Sequence, residues 1–436
     1  MASEFFTTAD RLNNTHYFLA TVSTNLPKHD PYAALRIRDF RLYVIGRIIN
    51  NIGFQIVDVA VAWQIFSLTH DPLSLGLVGL SVALPAIGVS LYGGHISDVK
   101  NRKVIALTML YVLTLTTLMF LAISLNIGYV YRQFGTLPFY IILAIGGTAS
   151  GILAPSVTAF SYQLIPNEIA LNASAWRSSS WQASAIAGPA IGGLLYGFIG
   201  ATGAYSVSAS LTFLGTLCLW FIPSRHVPSL KEEESIYNSL RQGIKFVFQN
   251  QIIVGALSLD LFAVLFGGAV AMLPVYASDI LKVGPEGLGL LRAAPAVGAV
   301  LVAVWMAHRP LRGAIGKKLF FVVFWFGITI IIFGISKSII LSVVMLAAGG
   351  GFDSVSVIIR STLIQISTPN EMRGRVESVN MMFIGSSNEV GAFESGVAAK
   401  LLGVVPSVVF GGTMTLLSVF ITSKLTPALR ELEINQ

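Results

Sequence analysis

The chain has 436 residues, of which 54% are hydrophobic and 11% charged, with a formal net charge of +7. Soluble domains carry about 25% charged residues, so this composition excludes an ordinary water-soluble enzyme or binding domain and specifies a membrane protein. Its apolar runs are continuous over ~20 residues, the length of a spanning helix, without the ten-residue alternation of barrel strands, and backbone in hydrocarbon must satisfy its own hydrogen bonds.

In chain order, residues 1–40 form a polar tail with Glu4, Asp10 and Asp30 and no apolar signal-peptide core, expected to stay in the cytoplasm. Six predicted spans follow at about 41–69, 74–97, 103–125, 138–165, 169–199 and 201–223. A polar linker, 224–250, repeats Ile236, Leu240, Ile244 and Phe248 every fourth residue and carries Lys231, Arg241 and Lys245, the pattern of an amphipathic helix on a membrane surface. Six more spans are predicted at about 251–281, 287–310, 316–337, 339–366, 372–401 and 404–424, before a short tail, 425–436. The expected fold is an all-α membrane protein of twelve transmembrane helices in two pseudo-symmetric six-helix bundles, 41–223 and 251–424.

Placing both termini in the cytoplasm leaves only Arg132, Lys282 and Lys337 in outer loops, while residues such as Lys28, Arg36, Arg102, Arg225, Lys318 and Arg375 fall inside. This asymmetry fixes the orientation expected for a multi-pass protein of the bacterial inner membrane. The basic excess then faces anionic lipid headgroups, and no nucleic-acid partner is expected. Cys218 is the single cysteine, which provides neither an internal disulfide nor a metal site.

The halves repeat one another. GLSVALPAIG (79–88) and GLLRAAPAVG (289–298) agree at six of ten positions, aligning Pro85 with Pro295, and Pro166-Asn167-Glu168 recurs as Pro369-Asn370-Glu371. Matching order makes duplication the better explanation. Parallel repeats of six spans are a transporter plan, with the substrate site near mid-membrane between the halves.

Between the second and third spans, GGHISDVKNRK (93–103) is similar to the major facilitator superfamily signature G-x-x-x-D-x-x-G-R-R/K. Gly94, Asp98, Arg102 and Lys103 fit it, and Asn101 stands where glycine is usual. The finer pattern, VAWQIFSLTHDPLSLGLVGL and STPNEMRGRVESVN, resembles the enterobactin-exporter branch. The resemblance implies that Asp98 latches the inner helix ends of the other half, where Arg373 and Arg375 are basic candidates. The second-half counterpart, AHRPLRGAIGKK, lacks the aspartate, so any latch is asymmetric. The plain alternative is a basic inner loop that only obeys the topology rule.

SAIAGPAIGGLLYG (184–197) resembles the exporter motif G-x-x-x-G-P-x-x-G-G, with Ser184 for the first glycine and Gly188, Pro189, Gly192 and Gly193 in place. Pro189 removes a helix hydrogen bond and bends the axis, while Ser184, Gly188 and Gly192 offer small surfaces four residues apart for close helix contact. The resemblance favours export.

Ionisable groups inside spans cost roughly 3 kcal/mol each on insertion scales, so each needs a reason. They are Arg47, Asp58, Arg177, Asp260, Arg292, Asp353, Arg360, Glu389 and Glu394. Family architecture lines the cavity with spans 1, 4, 7 and 10, which carry Asp58, Asp260, Asp353 and Arg360. Arg47 and Asp58, eleven residues apart, return to within ~20° of one helix face but ~16 Å along it. Asp353 and Arg360, seven apart, share a face at ~10 Å. Glu389 and Glu394 point ~140° apart and form no carboxylate dyad. Asp58, Asp353 and Glu389 are candidates to carry a coupling proton, and Arg47 and Arg360 to bind an anionic substrate by forked hydrogen bonds. Structural ion pairing is the competing role, assigned particularly to Arg177 near the inner end. The fourth span lacks the arginine carried there by proton-coupled drug antiporters of the superfamily.

The expectation is a secondary transporter working by alternating access, exporting a small anionic molecule such as a siderophore. Expected partners are that small-molecule substrate, a proton or other coupling ion and membrane lipid, with a monomer and no cofactor. No Walker motif supplies ATP chemistry, and no H-E-x-x-H motif supports an intramembrane enzyme. An importer, a multidrug exporter, a lysophospholipid flippase and a non-transporting receptor are the competing functions.

Overall fold

The computed structural model describes residues 30–99, 101–223, 236–308, 313–369 and 372–433. Most of the N-terminal tail, the start of the linker with Arg225 and Lys231, and Asn370 and Glu371 of the repeated Pro-Asn-Glu therefore lie outside the described residues. Helix α1 is Arg38–Thr69, α2 Pro72–Val99, α3 Arg102–Leu125 and α4 Leu137–Gln163. A single helical run, Ala170–Trp220, is broken at Gly200 (φ 69, ψ −175) into α5 (170–199) and α6 (201–220). That φ is in the left-handed region, where a side chain at Cβ would be strained.

The linker helix, Ile236–Gln249, precedes α7, Gln251–Ile280. Helices α8 Gly284–His308, α9 Ile315–Ile335, α10 Ile339–Ser367, α11 Arg373–Leu402 and α12 Val404–Leu425 complete the series. Among the described residues, ten runs are long and apolar enough to cross a membrane, with α5 and α6 counted as one. Helix α11 is not among them: it carries Arg373, Arg375, Glu377, Asn380, Asn388, Glu389 and Glu394, of which the sequence pattern singles out Glu389 and Glu394 as charges inside the span. It packs between α2 and α7 rather than standing alone in lipid.

Local chemistry sets several helix ends. Asn101 accepts from the Lys103 and Val104 N–H groups and caps α3, which gives the residue replacing the motif glycine a task of its own. Asn250 caps α7 in the same way through Ile252 and Ile253. Helix α7 is discontinuous: its α-helical part stops at Gly267, and a 3₁₀ turn, Pro274 and a π turn over Tyr276–Ile280 follow. Broken helices of this kind occur where backbone lines a cavity or is buried in protein.

In the linker helix, Gly243 and Val247 are buried against α11, whereas Ile244 and Phe248 are left uncovered beside exposed Arg241 and Lys245. Of the predicted stripe, Ile244 and Phe248 are exposed and the side chains of Ile236 and Leu240 lie outside the described residues; Gly243 and Val247 seat the helix on the bundle instead.

Core packing is unequal at the two ends of the bundle. One cluster contains Val59, Ala62 and Phe66 of α1 and Leu75 of α2 together with Leu273, Tyr276, Leu288, Leu291, Phe333 and Ala399 of the second half. These residues gather at the end carrying the 70–71 and 281–283 connections. The other clusters stay within one half, around Phe40 and Phe160 or Phe120 and Tyr205 in the first, and around Leu319 and Leu363 or Val376 and Val379 in the second. Among the described residues, the halves therefore share a hydrophobic core at one end and not at the other.

Two glycine seams close that end. A Cβ on Gly289 of α8 would lie 2.6 Å from the Pro189 carbonyl and 3.1 Å from the Gly193 Cα of α5. On the other side, a Cβ on Gly76 of α2 would meet the Gly396 Cα of α11 at 3.2 Å. Eleven residues before Gly396, Gly385 lies within ~20° of the same helix face, yet a Cβ there would meet nothing within 4 Å. Helices α2 and α11 touch at one end and part toward the other.

Candidate functional site

The embedded charges sort into three groups. In the second half, Arg360 of α10 forms a buried ion pair with Asp260 of α7, with 4% and 6% of their surfaces exposed. Asp353, two helical turns before Arg360, is within electrostatic reach of both. One guanidinium thus stands among two carboxylates. Burying charges this deeply is tolerable only when they are paired, and one of the two carboxylates has no cation of its own within the group. The sequence pattern places Asp353 and Arg360 on one face; that Asp260 closes the group is a tertiary fact.

The second group bridges the halves. Asp58 is exposed although Val59 and Ala60 beside it are buried and it lies far inside α1. It interacts electrostatically with Arg292 of α8, whose Nε is buried without a hydrogen-bond partner. The pair does not close to ion-pair distance, so the attraction between Asp58 and Arg292 acts across the lobes without a direct contact. Reasoning from sequence noted Arg292 but gave it no role. Its register is informative in hindsight, since Val82 occupies the equivalent place in the first repeat, 210 residues earlier.

The third group lies nearer the opposite end of the bundle. Arg47 is one turn beyond Tyr43 on α1, and Tyr43 donates to the Val157 carbonyl of α4 at 3.1 Å. Arg177 of α5 donates to Ser161 Oγ at 2.9 Å and lies 4.9 Å from the Tyr162 ring centre. Arg47 and Arg177 both act on Tyr43 electrostatically.

Of the signature residues, Lys103 donates to the Trp220 carbonyl at 2.9 Å, with its ammonium 5.9 Å from the Trp220 ring, and so caps α6 of its own half. Arg102 opens α3 beside it. Arg375 bonds Gln242 of the linker helix and the Met372 sulfur. The side chains of Gly94, Asp98, Arg373 and Glu389 lie outside the described residues. Glu394 sits next to Ser395 on α11, apart from the three groups above.

The fifth-helix motif serves two neighbours. Ser184 faces α1 through the Ile48 carbonyl, and Cβ atoms on Gly188 and Gly192 would run into Gln55 and Ile56. Gly193 and the Pro189 carbonyl face Gly289 of α8 instead. The shallow recess of about 370 Å³ between the linker helix and α7, lined by Phe246, Gln249, Asn250, Gln251, Ile252 and Ala428, contains no charged side chain.

The profile of the transmembrane secretion effector family matches residues 29–435, nearly the whole described chain. The protein belongs to that family of major facilitator transporters. It is 26% identical over 343 residues to the enterobactin exporter EntS of Shigella boydii serotype 4, covering 78% of this chain and 80% of the relative. The EntS of Escherichia coli O1:K1 matches with the same identity and coverage. Among solved structures, a mutant form of the nucleoside transporter NupG superposes with a TM-score of 0.71 at 14% identity, over 89% of this chain and 99% of the other. A bacterial homologue of the iron transporter ferroportin superposes with a TM-score of 0.69 at 15% identity, over 92% and 100%. The fold is therefore the all-α major facilitator fold, and the transporter is not an enzyme.

Proposed function

We propose that this transporter exports a small, anionic, siderophore-like molecule across the bacterial inner membrane by alternating access, driven by proton coupling. The carrying observation is the unequal packing of the two ends: a shared core and two glycine seams at one, separate cores at the other. With both termini in the cytoplasm, as the basic residues favour, the closed end faces outward and the hollow between the lobes opens inward, ready to load an export substrate. The lobes are 41–223 and 251–424, tied by the linker 224–250, and the protein works as a monomer. Similarity to the enterobactin exporters and the motif from Ser184 to Gly193 support the direction and the substrate class.

In this reading Asp353, beside the Asp260–Arg360 pair, carries the proton, and Asp98 with Arg373 and Arg375 latches the inner ends when the hollow faces outward. The test is counterflow of enterobactin in proteoliposomes, with and without an imposed pH gradient, alongside analysis of the siderophore retained by deletion cells. Gradient-driven flux that Asp353→Asn uncouples is the expected result. Flux that ignores the gradient in the unaltered protein removes proton coupling, and a deletion strain that retains no compound removes export.

A further inference from the structure

Charge in the first lobe does not balance. Arg47 and Arg177 converge on Tyr43, and among the described residues no carboxylate lies within ion-pair distance of either guanidinium. Arg47 Nη1 is buried and makes no hydrogen bond. By contrast, the buried guanidinium of Arg360 in the second lobe is paired with Asp260. Holding the buried Arg47 guanidinium in a medium of low dielectric without a counter-ion is costly, so the arrangement calls for an anion from outside the chain.

Position says where that anion arrives. Asp58 faces Arg292 of the other lobe, and Arg47 lies within ~20° of Asp58's helix face but ~16 Å toward the end where the lobes share no core. That register puts Arg47 on the Asp58 face of α1, displaced toward the end where the lobes share no core. Arg177 is held beside it by Ser161 and spread over Tyr162, which is itself 48% exposed. A planar fork so fixed suits an oxyanion, and the exposed tyrosine ring offers a flat surface to the organic part of the ligand.

We infer that Arg47, Arg177, Tyr43 and Tyr162 form an entry subsite for the oxyanion group of an organic ligand, at the mouth of the hollow and separate from the Asp260–Arg360–Asp353 group. The route of the ligand rests on the transport reading above; the chemistry of the subsite does not. An anionic lipid headgroup reaching in from the bundle end offers the same chemistry as a carboxylate solute, so the experiment separates them.

The probe is 4-fluorobenzoate, with neutral 4-fluorobenzamide as control, followed by fluorine NMR on the full-length protein in phosphatidylcholine nanodiscs and again in phosphatidylglycerol nanodiscs. The expected result is roughly tenfold or greater preference for the benzoate, lost in Arg47→Gln and in Arg177→Gln, as removal of one charge-assisted hydrogen bond implies. Should a glutamine variant aggregate, Arg47→Lys and Arg177→Lys keep the charge but lose the fork, and several-fold weaker binding is expected. Benzoate binding that survives phosphatidylglycerol assigns the subsite to a solute; displacement by that lipid assigns it to a headgroup. No preference over the amide, or a preference indifferent to both arginines, overturns the inference. Enterobactin counterflow in matched proteoliposomes keeps the two readings apart. Arginine-dependent binding without flux sinks transport and leaves the subsite; flux without arginine-dependent binding does the reverse.

Discussion

Adding one methyl group at Gly289 should shift the balance between closed and open states without disturbing either lobe. Its Cβ would stand 2.6 Å from the Pro189 carbonyl oxygen and 3.1 Å from the Gly193 Cα, where ordinary contact begins at 3.4 Å. Both obstacles are backbone, so no rotamer change relieves them, and α5 and α8 must separate by several tenths of an ångström. Overpacking of this size costs about 1–3 kcal/mol. Because the seam joins different lobes, the cost falls on the closed end and vanishes when that end opens, a shift of about 5- to 150-fold in the equilibrium. Asp71 and Lys400, 3.0 Å apart on the other seam, provide the reporter. Replaced by cysteines in a Cys218→Ser background, they should crosslink with a short bismaleimide more slowly in Gly289→Ala, in proportion to the closed population and by up to that factor where the open state predominates. Gly193→Ala should act alike, and the double variant should add little, since both strain one contact. Unchanged crosslinking in a folded, monodisperse Gly289→Ala protein would refute the claim that this seam holds the end shut.

Further outcomes follow from the same geometry. Arg360→Gln leaves Asp260 buried and unpaired, so thermal stability in detergent should fall by about 3–5 kcal/mol, with partial recovery in Asp260→Asn/Arg360→Gln; a double variant no better than the single would dismiss the pair. Lys103→Met removes the cation from the end of α6, a loss of about 0.3–1 kcal/mol. Hydrogen exchange should quicken locally at Leu219–Phe221, and unaltered exchange would mean the cap is idle. Asp58→Asn and Arg292→Gln should each slow enterobactin counterflow, and exchanging the two residues should restore part of it; if the exchanged protein is slower than both singles, the pair does not act across the lobes.

Much of the fold was legible because a membrane imposes a simple code. Spans of fixed length, basic inner loops and the repeated GLSVALPAIG pattern announce a duplicated six-helix unit. The eleventh helix is the least apolar of the spans: Asn380, Ser387 and Ser395 are buried where it packs against its neighbours, and cover of that kind leaves no trace in hydropathy. Spacing also placed Asp353 with Arg360 and Arg47 with Asp58 on shared faces, since helical periodicity is local. Partners on other helices were out of reach. Arg177, near a helix end, resembles an arginine that snorkels to the interface, and only the packing of α5 on α1 and the hydrogen bond to Ser161 of α4 bring it near Tyr43. Lys103 belongs to a signature read as a latch, yet its ammonium caps α6.

The sequence by itself determined the solvent, the helices, the duplication and which charges lie at what depth along each axis, because all of these follow from residue type and distance along the chain. Tertiary structure alone decided which end is shut, which charges are neutralised and which stand uncompensated. Those depend on the rotation of one helix against another, and lipid-facing, cavity-facing and helix-facing positions can carry the same residues until a neighbour is in place.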